Sequence, residues 1–149
     1  MSSLIIKQPQ TKQERDAYYQ LRWELLAKPW GQDFTVSQDD REDSSHHLMA
    51  IHNTKLVGIG RLHFNTQSEA QIRYMGVMEE FQNKGIGRAL VKALEQHALS
   101  QNRTTIVLNA REKAIPFYER LGYSYLEEAH VIFEVVKHVK MMRNLTCNI

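Results

Sequence analysis

Gln82-Asn83-Lys84-Gly85-Ile86-Gly87-Arg88-Ala89 is the stretch whose reading decides the rest of this chain. It follows a predicted strand, Ala70 to Val77, and leads into a predicted amphipathic helix, Ile86 to Ala98. Two glycines at a strand-to-helix turn let the backbone approach a ligand with no Cβ in the way. The helix behind them offers unpaired N–H groups and the positive end of its dipole. Together these make a seat for an anion, most naturally a phosphate or pyrophosphate.

Three phosphate-binding loops compete for this stretch. A Walker-type loop needs Gly, four residues, then Gly-Lys-Ser/Thr, and no such run exists. A dinucleotide fingerprint needs Gly or Ala where Leu90 stands, and an acidic residue about 20 residues further on. The corresponding stretch, Arg103 to Asn109, contains no acid. The third loop is the Gln/Arg-x-x-Gly-x-Gly/Ala element of the GNAT acetyltransferases, which Gln82 to Gly87 resembles position for position. A helix start whose glycines serve only tight packing is the plainer alternative.

The flanks weigh against that alternative. Ile72-Arg73-Tyr74-Met75-Gly76-Val77 resembles the family's central strand. Thr104-Thr105-Ile106-Val107-Leu108-Asn109 reads as a short β-branched strand. Ala114-Ile115-Pro116-Phe117-Tyr118-Glu119-Arg120-Leu121-Gly122-Tyr123 resembles the second signature, Ala-x-x-Phe-Tyr-x-x-x-Gly-Phe/Tyr. The resemblance runs through roughly residues 46 to 142 in the family's order. Further upstream, Leu21-Arg22-Trp23-Glu24-Leu25-Leu26-Ala27-Lys28-Pro29 looks like a bacterial subgroup whose acetyltransferase-like domain can precede a hot-dog thioesterase. No such second domain is expected within these 149 residues. Glu134, His138 and Met141 resemble a related Glu-x-Ile-Pro-His-x-x-Met ending, with Val136-Lys137 in place of Ile-Pro.

The chain has 149 residues, 42% of them hydrophobic. That suits one domain, residues 1–149, able to bury about 70% of its unfolded surface. One cysteine, Cys147, excludes an internal disulfide and fits a reducing compartment; it reads as a bystander. No apolar run approaches about 18 residues and no basic-then-apolar leader is present, so a cytoplasmic protein without a membrane partner is expected. Charge is spread evenly, with nine basic and nine acidic side chains in residues 1–75. A net charge of +2 gives no basic domain for nucleic acid. Asp39-Asp40-Arg41-Glu42-Asp43 reads as a solvated acidic loop, with attraction of a cationic acceptor as the minority reading.

Elements follow from local signals. Leu4-Ile5-Ile6 reads as a strand. Thr11 and Glu14 make a capping box for a helix over Gln13 to Ala27, in which Tyr18, Leu21 and Leu25 form the apolar stripe. Pro29-Trp30-Gly31 ends that helix. Gln32 to Ser45 is a polar connection of a length often given to function. His47 to Ile51 and Leu56 to Phe64 form a hairpin around Asn53-Thr54, and Asn65 to Ser68 turns into the third strand. Pro116 belongs in the first turn of its helix and Gly122 just past its end. The expected fold is α/β: a GNAT-type mixed, mostly antiparallel twisted sheet with helices on both faces.

The resemblance implies acetyl-CoA as cofactor and, as acceptor, an amine of a small molecule or peptide. It places backbone N–H groups of Met75, Gly76 and Val77 at the thioester carbonyl. Gln82, with the N–H groups of Asn83, Lys84, Gly85, Ile86, Gly87 and Arg88, takes the pyrophosphate. It assigns Tyr118 as the general acid towards the departing thiolate, counts Phe117 and Tyr118 among the cofactor-binding residues, and gives Asn109 the pantetheine arm. Packing on the sheet is the plainer reading of Phe117 and Tyr118, favoured for Phe117, and a turn-capping role for Asn109 competes closely. A phenol with an ordinary pKa of about 10 is a proton donor at neutral pH.

The general base is open among Glu69, Glu134, His46, His47 and His138. His138 and Glu134 are preferred because they lie in the ending that resembles the subgroup. Adjacent His46 and His47 make no metal site, since alternating strand faces point them apart. Trp23, Trp30, Phe34 and the 32–45 connection shape the acceptor pocket, or the tryptophans anchor the core. Sheet-edge pairing into a homodimer is what the family allows. A catalytically weak acyl-CoA-binding module is the rival to an enzyme, because the central strand carries no carboxylate before Glu79. A nicotinamide-dependent enzyme fares poorly without the complete fingerprint.

Overall fold

Leu48, Met49 and Ala50 are consecutive and all buried, which a strand achieves only when both of its faces are covered. Leu48 and Ala50 join one core and Met49 the other. The computed structural model describes residues 3–129, 131–133 and 136–145. Among them, seven strands build one sheet. These are β1 (Leu4–Lys7), β2 (His46–His52), β3 (Lys55–Phe64), β4 (Glu69–Val77), β5 (Thr105–Arg111), β6 (Ser124–Glu128) and β7 (His138–Asn144). Their order is β1-β2-β3-β4-β5-β7-β6, and every neighbouring pair is antiparallel except β4 with β5. The expected mixed, mostly antiparallel sheet with helices on both faces is present.

One face is covered by α1 (Lys12–Leu26). It starts at the expected capping box: Glu14 N–H donates to Thr11 Oγ1 at 3.0 Å, and Thr11 N–H donates to the Glu14 carboxylate at 3.2 Å. Its stripe of Tyr18, Leu21 and Leu25 packs on Met49 and Ile59. The other face is covered by α2 (Ile86–Ser100), which buries Ile86, Leu90, Val91, Leu94 and Ala98 at helical spacing. α2 also supplies the long crossover that the parallel β4–β5 pair requires. The β2–β3 hairpin turns through Asn53 and Thr54, both with positive φ, as a two-residue turn between right-twisted strands demands. Pro116 falls in the first turn of α3 (Ile115–Arg120), and Gly122 past its end has φ 97°.

Two expectations change. The acidic segment is solvated only in part: Asp40, Arg41 and Asp43 are exposed, but Asp39 accepts from Arg61 at 2.6 and 3.0 Å, and Glu42 accepts from Arg22 at 2.9 Å and Arg61 at 3.0 Å. Arg22 and Arg61 are fully buried, and buried guanidiniums are tolerable only when carboxylates come in with them. Trp30 is no core anchor, being 39% exposed at the one-turn helix that closes α1. Trp23 is half-buried and donates from Nε1 to Gln32 O at 2.9 Å, pinning the start of the 32–45 connection.

What positions the site is where β4 stops pairing. The β4–β5 ladder runs from Glu69↔Thr105 to Ile72↔Leu108 and ends there. On its other edge β4 carries an extra residue, because Ile59 faces Gly76 while Arg61 faces Arg73. Tyr74 takes up that residue at φ 57°. A bulge of this kind bends the strand and ends regular pairing. Residues 73–77 therefore form no ladder with β5, and their backbone groups on that side lack ladder partners.

Candidate active site

Beyond Val77 the chain makes a single turn, Glu79–Phe81, and enters the glycine loop. Gln82 Nε2 donates to Val77 O at 3.0 Å, tying the loop to the last residue of β4. Asn83 at φ 61° and Gly85 at φ 83° fold it back so that α2 begins at Ile86 with Gly85 as its N-cap. No side chain caps that helix start, so its first N–H groups keep their hydrogen-bonding capacity. The two glycines are there for different reasons. Around Gly85 a Cβ would meet nothing within 4 Å, so the backbone conformation is what calls for glycine. At Gly87 a Cβ would lie 3.0 Å from Phe117 Cζ, so close packing calls for it. Lys84 and Arg88 are exposed at the rim, and Ile86 is buried, leaving only its backbone for a ligand.

Across the splay, β5 ends in Asn109, Ala110 and Arg111. Asn109 is exposed, while Arg111 is half-buried and donates from Nη2 to Leu26 O at 3.2 Å, spanning from β5 to the end of α1. Burial pushes the Arg111 pKa below its ordinary value. Its placement was missed in the sequence, where an arginine ending a β-branched strand carries no distinctive signal.

Tyr118 is 7% exposed, with its ring edge-on to Phe117 at 4.9 Å and Tyr123 at 5.8 Å. Burial raises the phenol pKa above its ordinary value, and the Arg111 charge partly opposes the rise. Its hydroxyl makes no hydrogen bond to a described residue. His138 sits opposite Arg111 in the β5–β7 register and is 8% exposed. Its Nδ1 lies 3.0 Å from Val136 O, an acceptor, so a neutral ring carries its proton on Nδ1 and its lone pair on Nε2. Glu134 lies outside the described residues, as does Cys147.

The structure commits the other base candidates elsewhere. His46 stacks on His97 with ring centroids 3.5 Å apart. His47 lies on the opposite face, as alternation requires. Its Nε2 donates to Glu42 O at 2.7 Å, and its Nδ1 accepts from Tyr18 OH at 2.7 Å. Glu69 accepts from Asn65 Nδ2 at 2.8 Å. On the sheet face beyond α1, a cavity of about 400 Å³ is lined by Gln71, Asn109, Glu127, Glu128, Ala129 and Lys140. It spans the strands that part company after Ile72 and Leu108.

Comparison with known proteins agrees with this fold. The model of the acetyltransferase (GNAT) family matches residues 15–123. The uncharacterized N-acetyltransferase YjcF of Bacillus subtilis (strain 168) is 28% identical over 144 residues, covering 97% of this chain and 100% of that protein. An acyl-CoA N-acyltransferase from Pseudomonas aeruginosa superposes with a TM-score of 0.72 at 21% identity, over 96% of this chain and 99% of that one. An aminoglycoside 6'-N-acetyltransferase complexed with coenzyme A superposes with a TM-score of 0.79 at 16% identity, over 97% and 99%.

Proposed function

From the premise that this chain belongs to the GNAT family and is an acetyl-CoA-dependent acetyltransferase, we propose that it acetylates an amine of a small molecule or peptide by direct attack. The observation that carries this reading is a coincidence in space. The stretch of β4 that has lost its β5 ladder and the uncapped, glycine-bounded start of α2 lie at one end of the sheet, close in sequence. An extended thioester with a diphosphate at its far end asks for those two features.

When bound, acetyl-CoA would supply the acetyl thioester and a thiolate leaving group. The N–H groups from Asn83 to Arg88, with Gln82 and the charges of Lys84 and Arg88, hold the diphosphate. Met75, Gly76 and Val77 donate backbone N–H to the carbonyl oxygen. Tyr118 gives its proton to the sulfur, and Arg111 makes the phenol a better donor. His138 takes the amine's proton, aided by Glu134. Asn109 contacts the pantetheine arm beside the cavity through which the acceptor approaches. A cytoplasmic home belongs to the same proposal; no helix among the described residues is long and apolar enough to cross a membrane. So does a homodimer paired through a sheet edge, where β6 exposes Tyr125 and Leu126.

The test is coenzyme A release from acetyl-CoA across a panel of small-molecule and peptide amines, with calorimetry of coenzyme A alone. Turnover with any of the amines supports the enzyme. Binding without turnover favours the second reading, an acyl-CoA-binding module, which the lack of a carboxylate between Ala70 and Val77 motivates. No binding by the folded chain removes both.

A further inference from the structure

Tyr74 is the residue that makes the β4 bulge, and three guanidinium groups converge on its ring. The central carbon of Arg22 stands 4.3 Å from the ring centroid, that of Arg73 4.6 Å and that of Arg61 4.9 Å. A bulky aromatic residue holds φ 57° only when its surroundings impose it. Here the surroundings come from three elements. Arg22 rises from α1, Arg61 from β3, and Asp39 and Glu42 from the 32–45 connection close the cage behind them.

The buried guanidiniums are oriented by the ring as well as by the carboxylates. Arg22 spends its Nη groups on Glu42, Ser37 O and Tyr18 OH, and Arg61 spends its own on Asp39, Glu42 and His63. Both Nε atoms are buried without a hydrogen-bond partner. A guanidinium normally satisfies Nε when its angle is free to adjust. Forgoing it is what a flat cation does when its position over a π face is fixed. Arg73 completes the set at the rim, donating from Nη1 to Asp39 Oδ2 at 2.9 Å. Three positive groups thus face two carboxylates, and the negative face of the ring takes up the imbalance.

The residues that follow are Met75, Gly76 and Val77. Where their amides point depends on where the bulge is pinned. Leu25 Cδ1 stands 3.2 Å from the position a Cβ on Gly76 would occupy, so α1 also bears on this segment. We propose that Tyr74 is a positioning residue: its cage of Arg22, Arg61 and Arg73 fixes the β4 bulge and so aims the Met75–Val77 amides at the thioester carbonyl. This rests on the acetyltransferase reading. It adds that the acceptor-side 32–45 connection and the cofactor-side strand are coupled through one aromatic ring.

The experiment compares Tyr74→Gly and Tyr74→Asn, which suit the left-handed backbone but lack the ring, with Tyr74→Phe, which keeps it. Three quantities are read: kcat, coenzyme A affinity by calorimetry, and hydrogen exchange of segments 73–78 and 82–88 without cofactor. The expected result is a fall in kcat of about 10- to 100-fold in the ring-less variants. Coenzyme A affinity stays within about threefold, because the glycine loop is untouched. Exchange quickens in 73–78 and not in 82–88, and Tyr74→Phe restores kcat. Three outcomes overturn the proposal. They are a ring-less variant at wild-type kcat, parallel loss of kcat and coenzyme A affinity, and unfolding of both ring-less variants, which makes the cage structural only. Wild type that fails to bind coenzyme A sinks the acetyltransferase reading instead, and this proposal with it.

Discussion

Gly87 and Phe117 meet so closely that a β-carbon on residue 87 would stand 3.0 Å from the Phe117 ring. The glycine loop and the α3 signature, some thirty residues apart in sequence, are therefore one packed unit. Gly87→Ala should cost about 1–3 kcal/mol through overpacking and weaken coenzyme A binding, since Phe117 must shift. Gly85→Ala tests the other glycine. Its Cβ meets open space, so any loss, about 1–2 kcal/mol, arises from the left-handed backbone. Thermal melts and calorimetry on the two variants separate crowding from conformation.

Tyr118→Phe should lower kcat by about 10²–10⁴-fold while leaving coenzyme A affinity and the melting temperature close to wild type. The hydroxyl makes no hydrogen bond to a described residue, so its removal leaves no partner there unsatisfied. Since burial holds the phenol above its ordinary range, kcat should show no alkaline loss from this group below about pH 10. Steady-state kinetics across pH checks both points.

Arg111→Met removes the charge that opposes the rise in the Tyr118 pKa and the tie to Leu26 O. The phenol then becomes a weaker acid, and kcat should fall roughly 10- to 100-fold. Arg111→Lys keeps a positive group and should recover part of it. Equal loss in both variants would show that the bridge to α1, rather than the charge, is what matters.

Stability should fall as pH drops from about 6.5 towards about 4. Burial, then the neighbouring His97, lowers the His46 pKa to about 4. Burial, then the Arg61 charge, lowers that of His63 to about 4. Arg61 donates to His63 Nδ1 at 2.9 Å, a bond that protonation at that nitrogen abolishes. In this window the unfolded chain binds protons that the folded chain refuses, so unfolding takes up protons and stability rises with pH. The Asp39 carboxylate, held far below its usual range, gives way only at more acidic pH. Thermal melts from pH 4 to 7 should flatten when His46→Gln and His63→Asn are combined.

Much of this could be read from sequence because the signals are local. Thr11 and Glu14 are three residues apart, the buried residues of α2 follow helical spacing, and Gly85 answers a backbone need at its own position. What stayed hidden depends on distant partners. Asp39 and Glu42 look like loop charges until Arg61, 22 and 19 residues away, is seen buried against them. Tyr74 carries no sign of its left-handed backbone, because aromatic residues signal ordinary strand. Arg111 gains meaning only once Leu26, 85 residues earlier, closes over it.

The parallel ladder between β4 and β5 holds four residue pairs, from Glu69↔Thr105 to Ile72↔Leu108. It is the seam that joins the β1–β4 part of the one sheet to the β5–β7 part, and side chains such as Glu95 to Arg143 and Tyr123 add further stitches. A guest reaching both margins of that seam would act as a strap, adding rungs the main chain omits. Its affinity would then be felt throughout the molecule, as resistance to global unfolding as well as occupancy of a groove.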